Sequence, residues 1–84
     1  MTIAFTEAAW DDYTYWLRVE HEKLERIHLL LKDITRDPFK GIGKPDPLKN
    51  RLSGLWSRRI DNQHRLVYKI ERITVYVIQC RFHY

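Results

Sequence analysis

Apolar and polar positions alternate along this chain in two rhythms, and the rhythm changes once. Through Arg36 the apolar residues recur at steps of three and four, the spacing of a helix face. From Leu55 onward the step is two, the spacing of strands. Ahead of the helical part, Thr2–Phe5 is short and β-prone and reads as an edge strand. Thr6 can cap a first helix, with Glu7, Asp11 and Asp12 in early turns, where negative charge suits the helix dipole. Trp10, Tyr13 and Leu17 are expected to face the core, helped by Trp16. Leu24, Ile27, Leu31 and Ile34 form a second stripe. Val19–Glu22 contains neither Gly nor Pro, but the apolar face shifts across it, which predicts a helical hairpin rather than one bent helix. His21 and His28 on this hairpin read as solvated or partly packed.

Asp37-Pro38 ends the helical half, because the residue before a proline is pushed out of the helical region. Phe39–Ser53 follows as a long loop, FKGIGKPDPLKNRLS, of a length that in compact domains is functional or mobile. Leu55–Ile60, His64–Ile70 and Ile73–Tyr84 then read as three strands joined by tight turns at Asp61-Asn62-Gln63 and Glu71-Arg72, an antiparallel meander. The expected architecture is α+β, with two N-terminal helices packed on one face of a twisted antiparallel sheet, in a single domain over residues 1–84. Alternation places Leu66, Tyr68 and Ile70 on the helix-covered face and Arg65, Val67 and Lys69 on the other. In the last strand it pairs Arg81 with His83, opposite Cys80, Phe82 and Tyr84. A bulge would reverse that parity.

Composition adds charge to this frame. The net charge of +4 divides unevenly: residues 1–37 hold five Lys/Arg against eight Asp/Glu, whereas residues 38–84 hold ten against three. A basic half interleaved with aromatics suits phosphate neutralisation and base stacking, although charge alone does not separate polyanion binding from simple solubility. The lone Cys80 excludes an internal disulfide. Met1–Phe5 is too short for the apolar part of a signal peptide, and Val75–Ile78 is far too short to span a bilayer. The expectation is a soluble cytoplasmic protein with no membrane partner.

Several familiar motifs fail. GIGK lacks the Ser or Thr that a phosphate-binding Walker loop requires after its lysine, Pro45 standing there instead. His and Cys are too few and too scattered for a zinc site, so no metal or other cofactor is expected. What survives is a set suited to metal-free RNA cleavage, where the substrate's own 2′-hydroxyl is the nucleophile. His83 could protonate the departing oxygen, since a free histidine titrates near pH 6.5. Arg65 could hold charge developing on the phosphoryl oxygens. Asp46, in the Gly/Pro loop, could take the 2′-hydroxyl proton. Lys49, Arg51, Arg59 and Arg81 add cations for the backbone, and Tyr84 or Trp56 could stack a base. Taken singly, each has an ordinary reading, a solvated strand arginine or an aspartate forming a turn between prolines.

The stretches KPDPLKNRLSGLWSRRI, HRLVY and CRFHY, with WDDYTYW and DPFKGIGKP upstream, resemble the YoeB toxins of the RelE superfamily over essentially the whole chain. The resemblance implies a bacterial type II toxin with a RelE-like microbial-ribonuclease fold. Such a protein is an mRNA interferase acting in the ribosomal A site and leaving 2′,3′-cyclic phosphate and 5′-hydroxyl ends. It implies catalytic roles for Asp46, Arg65 and His83 and substrate contacts from Lys49, Arg59 and Tyr84. It also implies a YefM-like antitoxin that covers the site, and often a homodimer. One position departs from the family pattern: glutamate is usual where this chain has Asp46, so KPEPL becomes KPDPL. Aspartate keeps the charge but is one methylene shorter, and a misplacement of about 1 Å can cost on the order of 10²-fold in rate. Two alternatives stay open. One is a non-catalytic relative on the same fold that binds a protein target such as gyrase, as ParE-type toxins do; those lack the arginine and His-Tyr set found here. The other is a basic RNA-binding module without chemistry, whose binding would survive loss of His83.

Overall fold

The computed structural model describes residues 1–84. β1 (Thr2–Phe5) leads into α1 (Glu7–Val19) and α2 (His21–Arg36). These are followed by the short β2 (Asp46–Pro47), a 3₁₀ turn (Asn50–Leu52), β3 (Trp56–Arg59), β4 (Arg65–Glu71) and β5 (Thr74–Gln79). The sheet order is β1-β5-β4-β3-β2. The β2–β3, β3–β4 and β4–β5 pairs are antiparallel, as the meander predicts. β1 runs parallel to β5, so the sheet is mixed rather than antiparallel throughout. A parallel pair needs a long crossover, and here the rest of the domain lies between the two strands.

The helical hairpin forms where the face shift predicts it. Thr6 caps α1, its hydroxyl accepting from Ala9 N at 3.1 Å and donating to Ile78 O at 3.2 Å, so one side chain closes the helix and ties it to β5. Glu20 then takes an extended conformation (φ −156°, ψ 98°) that breaks the hairpin without Gly or Pro. Leu24, Ile27, Leu31 and Ile34 are buried as expected, with Leu30 beside them. They pack with Ala9, Trp16, Leu66, Tyr68, Val75 and Val77 in one core between hairpin and sheet, each fully buried aliphatic side chain contributing about 1.5–3 kcal/mol. No helix is long and apolar enough to cross a membrane.

Trp10 and Leu17 correct the reading of α1, being 51% and 47% exposed. Ala9 and Trp16 centre the buried stripe, so Trp10 and Leu17, each one residue further on, swing about 100° away from it. Trp10 instead stacks on Tyr13 at 5.4 Å between ring centroids.

The last predicted strand is also shorter than expected. β5 ends at Gln79, and Val67 pairs with Gln79 while Tyr68 pairs with Val77, leaving Ile78 as an unpaired bulge residue. Beyond it Phe82 sits at φ +66°, the left-handed region, so residues 80–84 leave the sheet plane. The strict alternation expected through Tyr84 therefore does not hold.

Candidate active site

The floor of the site is made by two strands whose alternation sorts their cations to opposite faces. Ser57 pairs with Val67 and Arg59 with Arg65 on the face away from the helices, while Trp56 and Arg58 pair with Tyr68 and Leu66 on the helix side. β2 adds Asp46 directly opposite Ser57. Arg65 is only 8% exposed, and its Nη1 donates to Asp61 O at 2.6 Å and His64 O at 3.1 Å. Both bonds run through one nitrogen, so Nε and Nη2 have no protein acceptor and remain available to a ligand.

The loop that delivers Asp46 is tied down from the core side. Arg58 is fully buried, and its guanidinium meets Asp33 Oδ2 at 2.5 Å, Ile42 O at 3.1 Å, Asp37 O at 2.7 Å and Lys40 O at 3.3 Å. Its Nε donates to the Tyr68 hydroxyl, which itself donates to Pro38 O at 2.6 Å. The main-chain N–H of Ile42 and the guanidiniums of Arg36 and Arg58 hold the Asp33 carboxyl well below its usual range, at about 2. Gly43 continues the path at φ +79°, with its carbonyl accepting from Arg59 N at 2.7 Å. Asp46 enters the sheet three residues later.

The tail is fixed by a different set of groups. Trp16 Nε1 donates to Cys80 O at 2.8 Å, and Cys80 N donates to Asp12 Oδ2 at 3.1 Å. Burial pushes the Asp12 carboxyl up, against the opposing pull of that N–H and of Arg81. Burial and the nearby Asp12 charge push the Cys80 thiol up to about 12, so it is chemically inert at neutral pH. Gln79 Nε2 donates to Arg81 O at 2.9 Å, Arg65 N donates to Phe82 O at 2.9 Å, and Phe82 N donates to His64 Nδ1 at 2.8 Å. These bonds account for an ordered tail where fraying would otherwise be expected.

Loop, strands and tail enclose a cavity of about 260 Å³ lined by Asp46, Arg59, Arg65, His83 and Tyr84 from the expected set, together with Lys44, Pro45 and Ser57. Ser57 is buried, and its hydroxyl donates to that of Tyr84 at 3.4 Å. The sequence carried a signal for Ser57, since it shares a face with Arg59 by period two; Lys44, in irregular loop, gave none. Four residues of the expected set lie elsewhere: Lys49, Arg51, Arg81 and Trp56, with Arg51 exposed in the 3₁₀ turn. Lys49 is exposed at the start of the 3₁₀ turn, outside the cavity lining. Arg81 stands over the Tyr15 ring of α1, 3.5 Å from its centroid, and lines a neighbouring groove with Asp12 and with His83, which borders both that groove and the cavity. His83 and Tyr84, expected on opposite faces, line the same cavity, because the bulge and the left-handed Phe82 replace strand geometry there. Trp56 packs against Phe39 on the core side rather than toward the cavity. Nowhere do three His, Cys, Asp or Glu side chains gather as a metal-ligand group.

One carboxylate, two guanidiniums, an ammonium and an imidazole thus line a single cavity on the helix-free side of a small α+β protein. The family model for the YoeB-like toxin of bacterial type II toxin-antitoxin systems matches residues 5–84. Toxin YoeB of Synechocystis sp. is 57% identical over all of this chain and 98% of its own length. A YoeB/ParE toxin from Agrobacterium tumefaciens superposes with a TM-score of 0.98 at 45% identity, both chains being fully covered. A Staphylococcus aureus YoeB, solved in complex with YefM and as a dimer, superposes at 0.93 and 0.94 with 39% identity, covering all of this chain and 98% of that one. The chain belongs to the YoeB-like toxin family of type II toxin-antitoxin systems.

Proposed function

We propose that this toxin is an endoribonuclease that cuts mRNA in the ribosomal A site and so inhibits translation. What carries the reading is the shared cavity: a carboxylate from a loop, a guanidinium from a strand and an imidazole from the tail, far apart in sequence, line one volume of about 260 Å³. In the reaction Asp46, as carboxylate, takes the proton of the substrate's 2′-hydroxyl, and the 2′-oxygen attacks the adjacent phosphorus. The bond from phosphorus to the 5′-oxygen breaks, and His83, starting as imidazolium, gives its proton to that oxygen. The ends are a 2′,3′-cyclic phosphate and a 5′-hydroxyl. The free Nε and Nη2 of Arg65 hold the charge that builds on the phosphoryl oxygens. Arg59 and Lys44 meet neighbouring phosphates, Lys49 and Arg81 extend the cationic surface beyond the cavity, and Tyr84 stacks a base.

The partners are the mRNA-loaded ribosome, which presents the codon, and a YefM-like antitoxin whose flexible tail covers the site. The complex and the dimer formed by the S. aureus relative support an antitoxin partner and a toxin homodimer. The site of action is the cytoplasm.

A translation extract programmed with one defined mRNA tests this. Wild type is expected to cut on stalled ribosomes, and His83→Ala to lose about 10²–10⁴-fold, the usual worth of a positioned acid or base. Asp46→Asn is expected to be impaired and Asp46→Glu to be active. A message left intact by wild type overturns the nuclease reading and favours a fold relative that works by binding a protein target. Asp46→Asn cutting at the wild-type rate would make Asp46 a turn residue.

A further inference from the structure

His64 is the remaining imidazole at the edge of the site, and its Nδ1 accepts the main-chain N–H of Phe82 at 2.8 Å. The next residue on β4, Arg65, donates its own main-chain N–H to Phe82 O at 2.9 Å. The start of β4 therefore grips both polar groups of the residue just before His83. Phe82 needs that grip, because its φ of +66° is a left-handed conformation that costs a non-glycine residue about 1–2 kcal/mol. That turn directs His83 and Tyr84 into the cavity instead of onward along the strand. The imidazole cannot readily swivel to offer another atom. It packs edge-on to Trp16 at 4.8 Å and lies against the Phe82 ring at 6.0 Å.

We propose that His64 is a positioning residue: its unprotonated Nδ1 holds Phe82 in the left-handed turn that carries His83 and Tyr84 into the cavity, and protonation of that nitrogen releases them. An imidazolium has a hydrogen on both ring nitrogens, so the Phe82 N–H would face another donor. Histidine is the side chain that makes this change between about pH 5 and 8. The charged groups around it are Asp12 on α1, Asp61 in the β3–β4 turn with its partner Lys23 on α2, Arg65 on β4 and Arg81 in the tail. The catalytic consequence rests on the nuclease reading above; the structural claim does not.

The consequence is a division of labour between two histidines. His83 must carry a proton to act as the acid, whereas His64 must lack one for His83 to be in place. Activity then depends on the two imidazoles in opposite protonation states.

The test has two arms. In the free toxin, amide exchange of Phe82 is followed by NMR at about pH 8 and about pH 5 as a protection factor, with a drop of about tenfold expected at the lower pH, the size of one hydrogen bond's net contribution. His64→Asn, whose Oδ1 can accept in place of Nδ1 and does not titrate, is expected to keep protection at both pH values; His64→Ala is expected to lose it at both. In the ribosome cleavage assay His64→Asn moves the acid limb to lower pH, which a role in folding alone would not do. Equal protection of Phe82 in wild type at the two pH values, or wild-type protection in His64→Ala, overturns the proposal. If no variant cleaves RNA but protection still follows His64, the nuclease reading falls and the positioning role stands.

Discussion

Two arginines on neighbouring strands, both buried, face opposite sides of the same sheet and do opposite things. Arg58 spends every nitrogen on the protein: an aspartate, a tyrosine hydroxyl and three carbonyls of the 37–42 segment. Arg65 spends one nitrogen on two carbonyls and leaves two without a protein acceptor at the cavity wall. Burial is nearly the same, 0% and 8% exposed, so burial does not tell a cation committed to the protein from one with donors to spare. Donor saturation does. A fully paired guanidinium has nothing left for a ligand, and an incompletely paired one keeps its desolvation cost until an anion arrives.

The largest expected effect breaks the saturated side. Arg58→Ala removes the buried partner of Asp33, which keeps only Arg36 and the Ile42 N–H, and leaves the carbonyls of Asp37 and Ile42 without that donor; it is expected to cost about 3–5 kcal/mol in denaturant unfolding, a large part of a small domain's total of about 5–15. Arg58→Lys should recover little, because one ammonium cannot reach so many acceptors. Arg65→Ala comes next and acts on the other quantity. Cleavage is expected to fall about 10²–10³-fold while the unfolding midpoint moves less than for Arg58→Ala. Equal destabilisation by the two substitutions would erase the distinction between them.

Gly43 lies on the path from hub to cavity, so its substitution sharpens the comparison at a smaller scale. A Cβ there would sit 2.7 Å from Leu30 Cδ2 and 3.2 Å from Arg58 Cβ, at φ +79°. Gly43→Ala is expected to cost about 2 kcal/mol, from left-handed strain together with modest overpacking. Gly54→Ala is the control: φ is +93° with no atom within 4 Å of the added carbon, so strain alone should cost about 1 kcal/mol. Because Gly43 O holds Arg59 N, Gly43→Ala should also weaken cleavage, and Gly54→Ala should not.

What could be read from the chain follows the reach of each signal. The α2 stripe, the Thr6 cap and the face assignment of β4 depend on neighbours within a few residues, and each stands in the structure. The direction of β1 relative to β5 depends on a pairing between Thr2 and Thr74 that no local pattern encodes. The outward turn of Trp10 and Leu17 depends on where the stripe is centred, which Ala9, a weak apolar signal, decides. At the site, the face of Arg65 was legible because period two holds along β4, whereas Arg59 and His83 were singled out by residue type and by the family resemblance. The placements of Arg81 and Tyr84 were not legible, since a single bulge at Ile78 and one positive φ at Phe82 rewrote the parity. Arg58 could not be told from Arg59 by composition. Only the register against Leu66 and the carbonyls waiting across the core separate them.

The smallest expected effect separates the two depressed carboxylates, Asp33 in the hub and Asp61 in the turn before Arg65. Burial alone would raise Asp61, but the Lys23 ammonium at 2.7 Å and the main-chain N–H groups of His64 and Gln63 more than offset it, leaving the group at about 2. Both carboxylates therefore lie below their ordinary 3.8, and the sign follows. Their contribution is present above about pH 4, where folded and unfolded states are both ionised, and is lost as pH falls through about 2, because the unfolded chain takes up protons first. Asp61→Asn keeps an acceptor for the two N–H groups and removes only the charge facing Lys23. On a partly exposed pair, that is expected to cost about 0.2–1 kcal/mol near neutrality. Acid unfolding followed by circular dichroism should then lose part of its slope between about pH 4 and pH 2 in Asp61→Asn, with the Asp33 part remaining. If Asp61→Asn instead destabilised as much as Arg58→Ala, the turn ahead of Arg65 would be a second saturated hub, and the contrast between the two faces of the sheet would need redrawing.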